Sequence, residues 1–175
     1  LWAESLGKIG PDGRSVGPTP LPALGATDQH SQVQLFMEGP RDKTVTFVAV
    51  RGRTQEGPIP ARHADIPELG YLAGHTLGEL LDIEQRATAG ALAARGRLNA
   101  TLTVDAVDAW HLGALMQTFA LATAYAGALY GIDAFDQPGV ELGKQFAYAM
   151  LGRAGSEAAR AEWDALPHPD PRFQL

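Results

Sequence analysis

The chain contains no cysteine. That excludes disulfides, thiolate zinc sites and cysteine nucleophiles, and it fits a cytosolic protein. Clustered positive charge is also missing: the net charge is −6 and no run of basic residues occurs. Nucleic acid and anionic membrane surfaces attract clustered cations, so neither is an expected partner. No unbroken apolar run approaches the ~18 residues of a membrane-spanning helix, so no span is expected. No charged-then-apolar leader is visible. The histidines (His30, His63, His75, His111, His168) show neither i,i+4 nor HExxH spacing. No metal site is therefore expected.

What is present suffices for one domain with a real core: 175 residues, 45% of them apolar and 19% charged. The chain opens at Leu1-Trp2-Ala3, and its three methionines are internal. An apolar, aromatic opening reads as the middle of an element, so a missing N-terminal part is expected. Residues 1–8 read as a helix end stopped by Gly7 and Gly10-Pro11. A loop over 10–25 follows, stiffened by Pro11, Pro18, Pro20 and Pro22. Thr27 or Asp28 then caps a helix with Val33, Phe36 and Met37 on one stripe, ended by Gly39-Pro40.

Residues 45–50 are β-branched and apolar, the pattern of a buried strand in a parallel sheet. An irregular connection over 51–67 leads to helical spacing across 69–95, through Leu77, Leu80, Leu81, Ile83, Ala87 and Leu92. Residues 98–104 alternate as a strand does. The longest helical pattern, 108–130, carries Leu112, Leu115, Met116, Phe119, Ala122, Ala126 and Leu129, and reads as a core or interface helix. Another helix runs to about Arg153, and Ser156 caps a last one over 157–166 before a proline-rich tail. Helices alternating with apolar strands predict an α/β sandwich with a mainly parallel sheet. Two strands are few for that class; the others are weak, near 18–25, or lie outside the chain.

The stretch Phe135-Asp136-Gln137-Pro138-Gly139-Val140-Glu141-Leu142-Gly143-Lys144 organises this pattern. It reads as a turn feeding a helix, with Pro138 at the first helical position and Asp136 or Gln137 as cap. Lys144 shares a face with Val140, Ala147 and Leu151, so it must snorkel, pair, or point into a cleft. Glu141 is its available partner, and such a surface pair is worth only a few tenths of a kcal/mol. The glycine spacing is not that of a phosphate-cradling loop, and Gln145 stands where Ser or Thr is needed.

Residues 135–144 resemble the glucose-6-phosphate isomerase family signature aromatic-D-Q-x-G-V-E-x-x-K at every specified position. Ala3-Glu4-Ser5-Leu6-Gly7-Lys8 resembles its E-S-x-G-K segment, and Gly25-Ala26-Thr27-Asp28-Gln29-His30-Ser31 its segment ending Q-H-S or Q-H-A. Glu38-Gly39-Pro40 continues a pattern of bacterial members. One departure is Gly96-Arg97-Leu98-Asn99, where members often carry G-R-P.

The resemblance implies that Glu4 is the isomerisation base, that His30 acts in ring opening, that Gln137 lies near the substrate phosphate, and that Lys144 lies near the ring oxygen and O1. It implies a SIS-type three-layer sandwich. Residues 1–153 would be the C-terminal domain of a two-SIS-domain enzyme, and 154–175 a terminal helix and tail. It further implies a cytosolic, metal-free and cofactor-free aldose–ketose isomerase. Its partners would be a sugar-phosphate substrate and a second subunit, in a homodimer whose active site borrows its histidine from the neighbour.

Interconverting glucose 6-phosphate and fructose 6-phosphate moves a proton between C2 and C1, which one carboxylate can do. Ring opening needs a base for the O1 proton and an acid for O5, which a His–Lys pair can supply. The family's upstream arginine and Ser/Thr phosphate loop have no counterpart here, so the chain alone is expected to be inactive. From spacing alone, Glu4 also reads as a solvated helix residue. His30, in a first helical turn where the helix dipole favours a neutral ring suited to a base, reads on spacing alone as a capping or solvent-facing residue. A sugar-phosphate sensor of the same fold, or an isomerase fused to another enzyme, are the alternatives. The joint presence of Glu4, His30 and Lys144 weighs against the sensor.

Overall fold

The structure, a computed structural model, describes residues 1–51, 57–167, 170 and 172. Part of the 51–67 connection and most of the proline-rich tail, including His168, lie outside the described residues. In chain order the elements are α1 (Trp2–Ser5), β1 (Lys8–Ile9), β2 (Ser15–Val16), α2 (Gln29–Glu38), β3 (Val45–Val50), α3 (Pro67–Gly70), α4 (Leu77–Ala94), β4 (Asn99–Val104), α5 (Ala109–Tyr130), a 3₁₀ turn (Pro138–Val140), α6 (Glu141–Met150) and α7 (Glu157–Asp164). The fold is α/β with a parallel sheet. The chain divides into two compact units, Pro18–Leu121 and Leu1–Gly17 with Ala122–Leu175.

In the unit Pro18–Leu121, β3 pairs with β4 in parallel, from Val45 opposite Asn99 to Val50 opposite Val104. Parallel neighbours need a long crossover, and α3 and α4 supply it. α4 packs on both strands, and its Leu92 is the most deeply buried large side chain described, at 1% exposure. Polar groups fix the surrounding elements. The Asn99 amide donates to Ala89 O at 3.2 Å and Arg97 O at 3.1 Å. The Arg97 guanidinium donates twice to Met37 O, at 2.9 and 2.6 Å, tying the end of α2 to the start of β4. Gln29 Nε2 donates to Thr88 Oγ1 at 2.6 Å, tying the start of α2 to α4.

β3 is less buried than its apolar run predicts: alternate residues are exposed, Val48 by 48%. Only β4 flanks it among the described residues, so one edge and much of one face stay uncovered. The helical pattern over 69–95 is two helices. The break is at Gly74, in the left-handed region at φ +88°, followed by Thr76, whose hydroxyl accepts from Glu79 N at 3.0 Å. Thr76-Leu77-Gly78-Glu79 has the spacing of a capping box, a start signal visible in the sequence. Residues 18–24 form no strand.

In the unit Leu1–Gly17 with Ala122–Leu175, Leu6, Ala126 and Ala134 form a small core, with Trp2 and Ile132 packed against it. The predicted helix end over 1–8 is only α1; Lys8 already belongs to β1, which pairs antiparallel with β2. The hairpin turns at Pro11-Asp12-Gly13, where Gly10 N donates to Arg14 O at 2.8 Å and Asp12 Oδ1 accepts from Arg14 N at 3.1 Å. The strands approach so closely at Gly17 that a Cβ there would sit 2.4 Å from Gly7 N. α7 folds back on α6 through an edge-to-face contact between Phe146 and Trp163, with centroids 5.5 Å apart.

The core reading of α5 is not met. Only Thr123, Ala126 and Gly127 are buried, while Met116 is 65% and Leu129 87% exposed. By length and composition α5 is also long and apolar enough to cross a membrane. No unbroken apolar run marks it, because His111, Gln117, Thr118 and Thr123 interrupt the helix without adding charge.

Leu92→Ala should destabilise the fold by about 2–5 kcal/mol, because it removes most of a side chain that is only 1% exposed. Gly127→Ala should cost about 1–3 kcal/mol, since its new Cβ would lie 2.7 Å from Ala134 Cβ. Urea-unfolding midpoints measure both; wild-type midpoints would contradict the packing described.

Candidate active site

Glu4 is carried by α1 and exposed to solvent. Its Oε1 accepts a 2.8 Å hydrogen bond from Gln137 Nε2, 133 positions away in sequence. Gln137 ends the turn that opens the 135–144 stretch. Within that turn Phe135 N donates to Asp133 Oδ1 at 2.8 Å, and Val140 N to Gln137 O at 3.3 Å. Pro138 begins a 3₁₀ turn that runs into α6, so its missing N–H is tolerated as expected. Neither proposed cap is used: the Gln137 amide is committed to Glu4, and the Asp136 carboxylate pairs with Lys8 Nζ at 2.6 Å.

Lys144 Nζ lies 2.7 Å from Glu141 Oε1, the i,i+3 pair that the spacing offered. Val140 and Leu151 are solvent-exposed, so the face they share with Lys144 is not a packed one. The packed side of α6 carries Phe146 and Ala149 instead. The Glu141 hydrogen bond, and then its charge, raise the Lys144 pKa above its usual value. Lys144, cationic at neutral pH as any exposed lysine is, is held beside Glu141. A donor at the ring oxygen and a positive charge beside a developing oxyanion both need such a group.

His30 lies in the first turn of α2, exposed, in the other unit. Asp28 precedes the helix at the cap position, but its carboxylate accepts from Leu24 N at 2.7 Å rather than from the helix amides. The structure thus joins Glu4 to Gln137 and Lys144 to Glu141, with all four in one unit and His30 in the other. A mostly apolar groove of about 390 Å³ runs along β3 past Phe36 and Leu81. None of Glu4, His30, Gln137 or Lys144 lines it. Among the described residues no group of three His, Asp or Glu side chains is placed to hold a metal ion.

The α/β fold and the 135–144 stretch are both in keeping with the resemblance to sugar-phosphate isomerases already drawn. Comparison with known proteins makes the assignment specific. The phosphoglucose isomerase family profile matches residues 23–167, and the chain belongs to that family. It is 52% identical over 158 residues to the glucose-6-phosphate isomerase of Rubrobacter xylanophilus, an alignment covering 90% of this chain and 35% of the relative. It is 44% identical over 178 residues to that of Carboxydothermus hydrogenoformans, covering 100% of this chain and 38% of the relative. The crystal structure of a hypothetical protein from Thermus thermophilus superposes with a TM-score of 0.79 at 43% identity, over 86% of this chain and 36% of that one. The chain spans little more than a third of the length of these relatives. His30, Gln137 and Lys144 fall inside the profile match; Glu4 precedes it.

Glu141→Gln should return Lys144 toward its ordinary pKa near 10.5. A raised folded-state pKa gives stability that is complete below the unfolded value and lost as pH rises through the folded one. Wild-type α6 should therefore keep Lys144 protonated into more alkaline solution than Glu141→Gln does, read as the ¹⁵Nζ titration of Lys144. Identical titrations in the two proteins would contradict the pairing.

Proposed function

We propose that the chain is the C-terminal, SIS-type portion of a glucose-6-phosphate isomerase, and that it carries most of the groups which move protons. The observation that carries this reading is the 2.8 Å bond joining Glu4 to Gln137 across 133 positions, in a chain of this family. Glu4 takes the proton from C2 of the opened aldose, giving an enediolate, and returns it to C1 to give the ketose. One carboxylate serves both carbons because it lies over the same face of the planar intermediate.

Gln137 holds Oε1 of Glu4, leaving Oε2 to face the substrate. The amide retains a second N–H and a carbonyl oxygen, so it can also meet the phosphate region. His30 accepts the O1 proton as the ring opens, and Lys144 donates to O5. The subunit pairs with a second copy, each lending its His30 to the other's Glu4 and Lys144. That arrangement is supported by the exposed apolar residues Phe135, Leu129 and Leu151. The arginine and the phosphate loop come from the upstream portion, and no cofactor takes part. The enzyme acts in the cytoplasm, on sugar phosphates of glycolysis and gluconeogenesis.

Two assays test this. The whole isomerase should interconvert glucose 6-phosphate and fructose 6-phosphate, and Glu4→Gln should lower kcat by ~10²-fold or more while substrate still binds. The chain alone should give no turnover. Near-wild-type kcat in Glu4→Gln, or turnover by the chain alone, would refute the proposal. Binding of sugar phosphate by the whole protein without turnover would make it a sensor instead.

A further inference from the structure

Lys8 is the last residue of the E-S-x-G-K segment, and the chemistry above gives it no task. Its surroundings do. Lys8 Nζ donates to Ser5 O at 3.0 Å, to Asp136 O at 2.8 Å and to Asp133 O, and it lies 2.6 Å from Asp136 Oδ1. The Lys8 side chain is 13% exposed and that of Asp136 56%, so the lysine is largely covered while its carboxylate partner meets solvent. An ammonium has three N–H groups and no acceptor. Here all three are directed at carbonyls of two segments more than a hundred positions apart, with a carboxylate balancing the charge. Ser5 follows Glu4 directly, and Asp136 directly precedes Gln137. The clasp therefore closes one residue away from each end of the Glu4–Gln137 hydrogen bond.

We infer that Lys8 is a positioning residue: its ammonium clamps the 133–136 turn onto α1 and so sets the aim of the Glu4 carboxylate through Gln137. This deepens the isomerase reading and rests on Glu4 being the base. The small apolar core of Leu6, Ala126 and Ala134 brings the same two segments together. Apolar packing is not directional, however, and fixes separation better than angle. Proton transfer between adjacent carbons depends on angle, and a misplacement of about 1 Å can cost ~10²-fold. The cage suits a compact ammonium. A planar guanidinium presents its donors in a flat fork that cannot reach the same carbonyls.

The test uses the whole isomerase with Lys8→Met, Lys8→Arg, Gln137→Leu and the Lys8→Met/Gln137→Leu double variant. Lys8→Met should lower kcat about 10- to 100-fold, and Lys8→Arg should not rescue it. The double variant should be no slower than the worse single, because both changes loosen the same hydrogen bond. A residue that only stabilised the fold would lower the melting temperature, leave kcat per folded site unchanged, and combine multiplicatively with Gln137→Leu. Hydrogen exchange gives a readout independent of turnover. The Phe135 and Val140 amides should exchange at least about 10-fold faster in Lys8→Met and Lys8→Arg, since opening of the turn exposes them. A wild type without turnover would defeat the isomerase reading alone, and exchange would still decide the clasp. Wild-type kcat in Lys8→Met, rescue by arginine, multiplicative losses, or unchanged exchange would each overturn the inference.

Discussion

A lysine ammonium with three backbone carbonyls around it joins the beginning of this chain to a turn near its end. The Glu4–Gln137 pair is flanked by this joint on both sides. α1 is four residues long, too short to hold a direction by its own hydrogen bonds. The 133–136 turn has its Asx bond and the packing of Ala134 to order it. Joined through Lys8, the two hold a carboxylate and an amide in bonding distance. A tetrahedral donor is used where direction matters, and a small apolar cluster where only proximity does.

The electrostatics divide in a similar way. Glu4, Gln137, Glu141 and Lys144 are all solvent-exposed, and each pairs with one of the others. Water screens such pairs, so they add little to stability. Their value is in orientation and in charge: the Glu141 carboxylate holds the Lys144 ammonium in place and raises its pKa. The described residues also leave much apolar surface uncovered, including most of α5 and an edge of β3. On the proposed reading, that surface meets the upstream portion of the enzyme and its second subunit.

Much of this was legible in the sequence, and the misses have physical causes. The patterns over 45–50 and 98–104 pointed to both long strands, because β-branched runs and strict alternation are hard to mistake. The glycine and proline punctuation marked the end of α2. The single helix expected over 69–95 failed because apolar spacing carries across a break, while Thr76 and Glu79 mark the true start only to a reader looking for a cap. The hairpin of β1 and β2 lay hidden in a loop whose Pro11-Asp12-Gly13 turn signal was available. Burial was read worst: β3 and α5 have core compositions and lie half open, since composition reports what a segment can bury against, not what is beside it. In the candidate site, the Glu141–Lys144 pair followed from spacing. The Glu4–Gln137 bond and the Lys8 clasp could not, because they span more than a hundred positions and no local period encodes them. Lys8 stood in a quoted motif without a role, since a role for it emerges only when its carbonyl partners are seen.

The central claim is that Glu4, aimed by this assembly, carries the proton between C2 and C1. Solvent isotope exchange tests it most directly. The whole isomerase would be run in deuterium oxide with unlabelled glucose 6-phosphate, and fructose 6-phosphate examined by proton NMR for deuterium at C1. The account predicts measurable incorporation by the wild type, because a carboxylic acid facing solvent loses some of its proton before returning it, and none above background in Glu4→Gln. Undiminished incorporation by Glu4→Gln would contradict it.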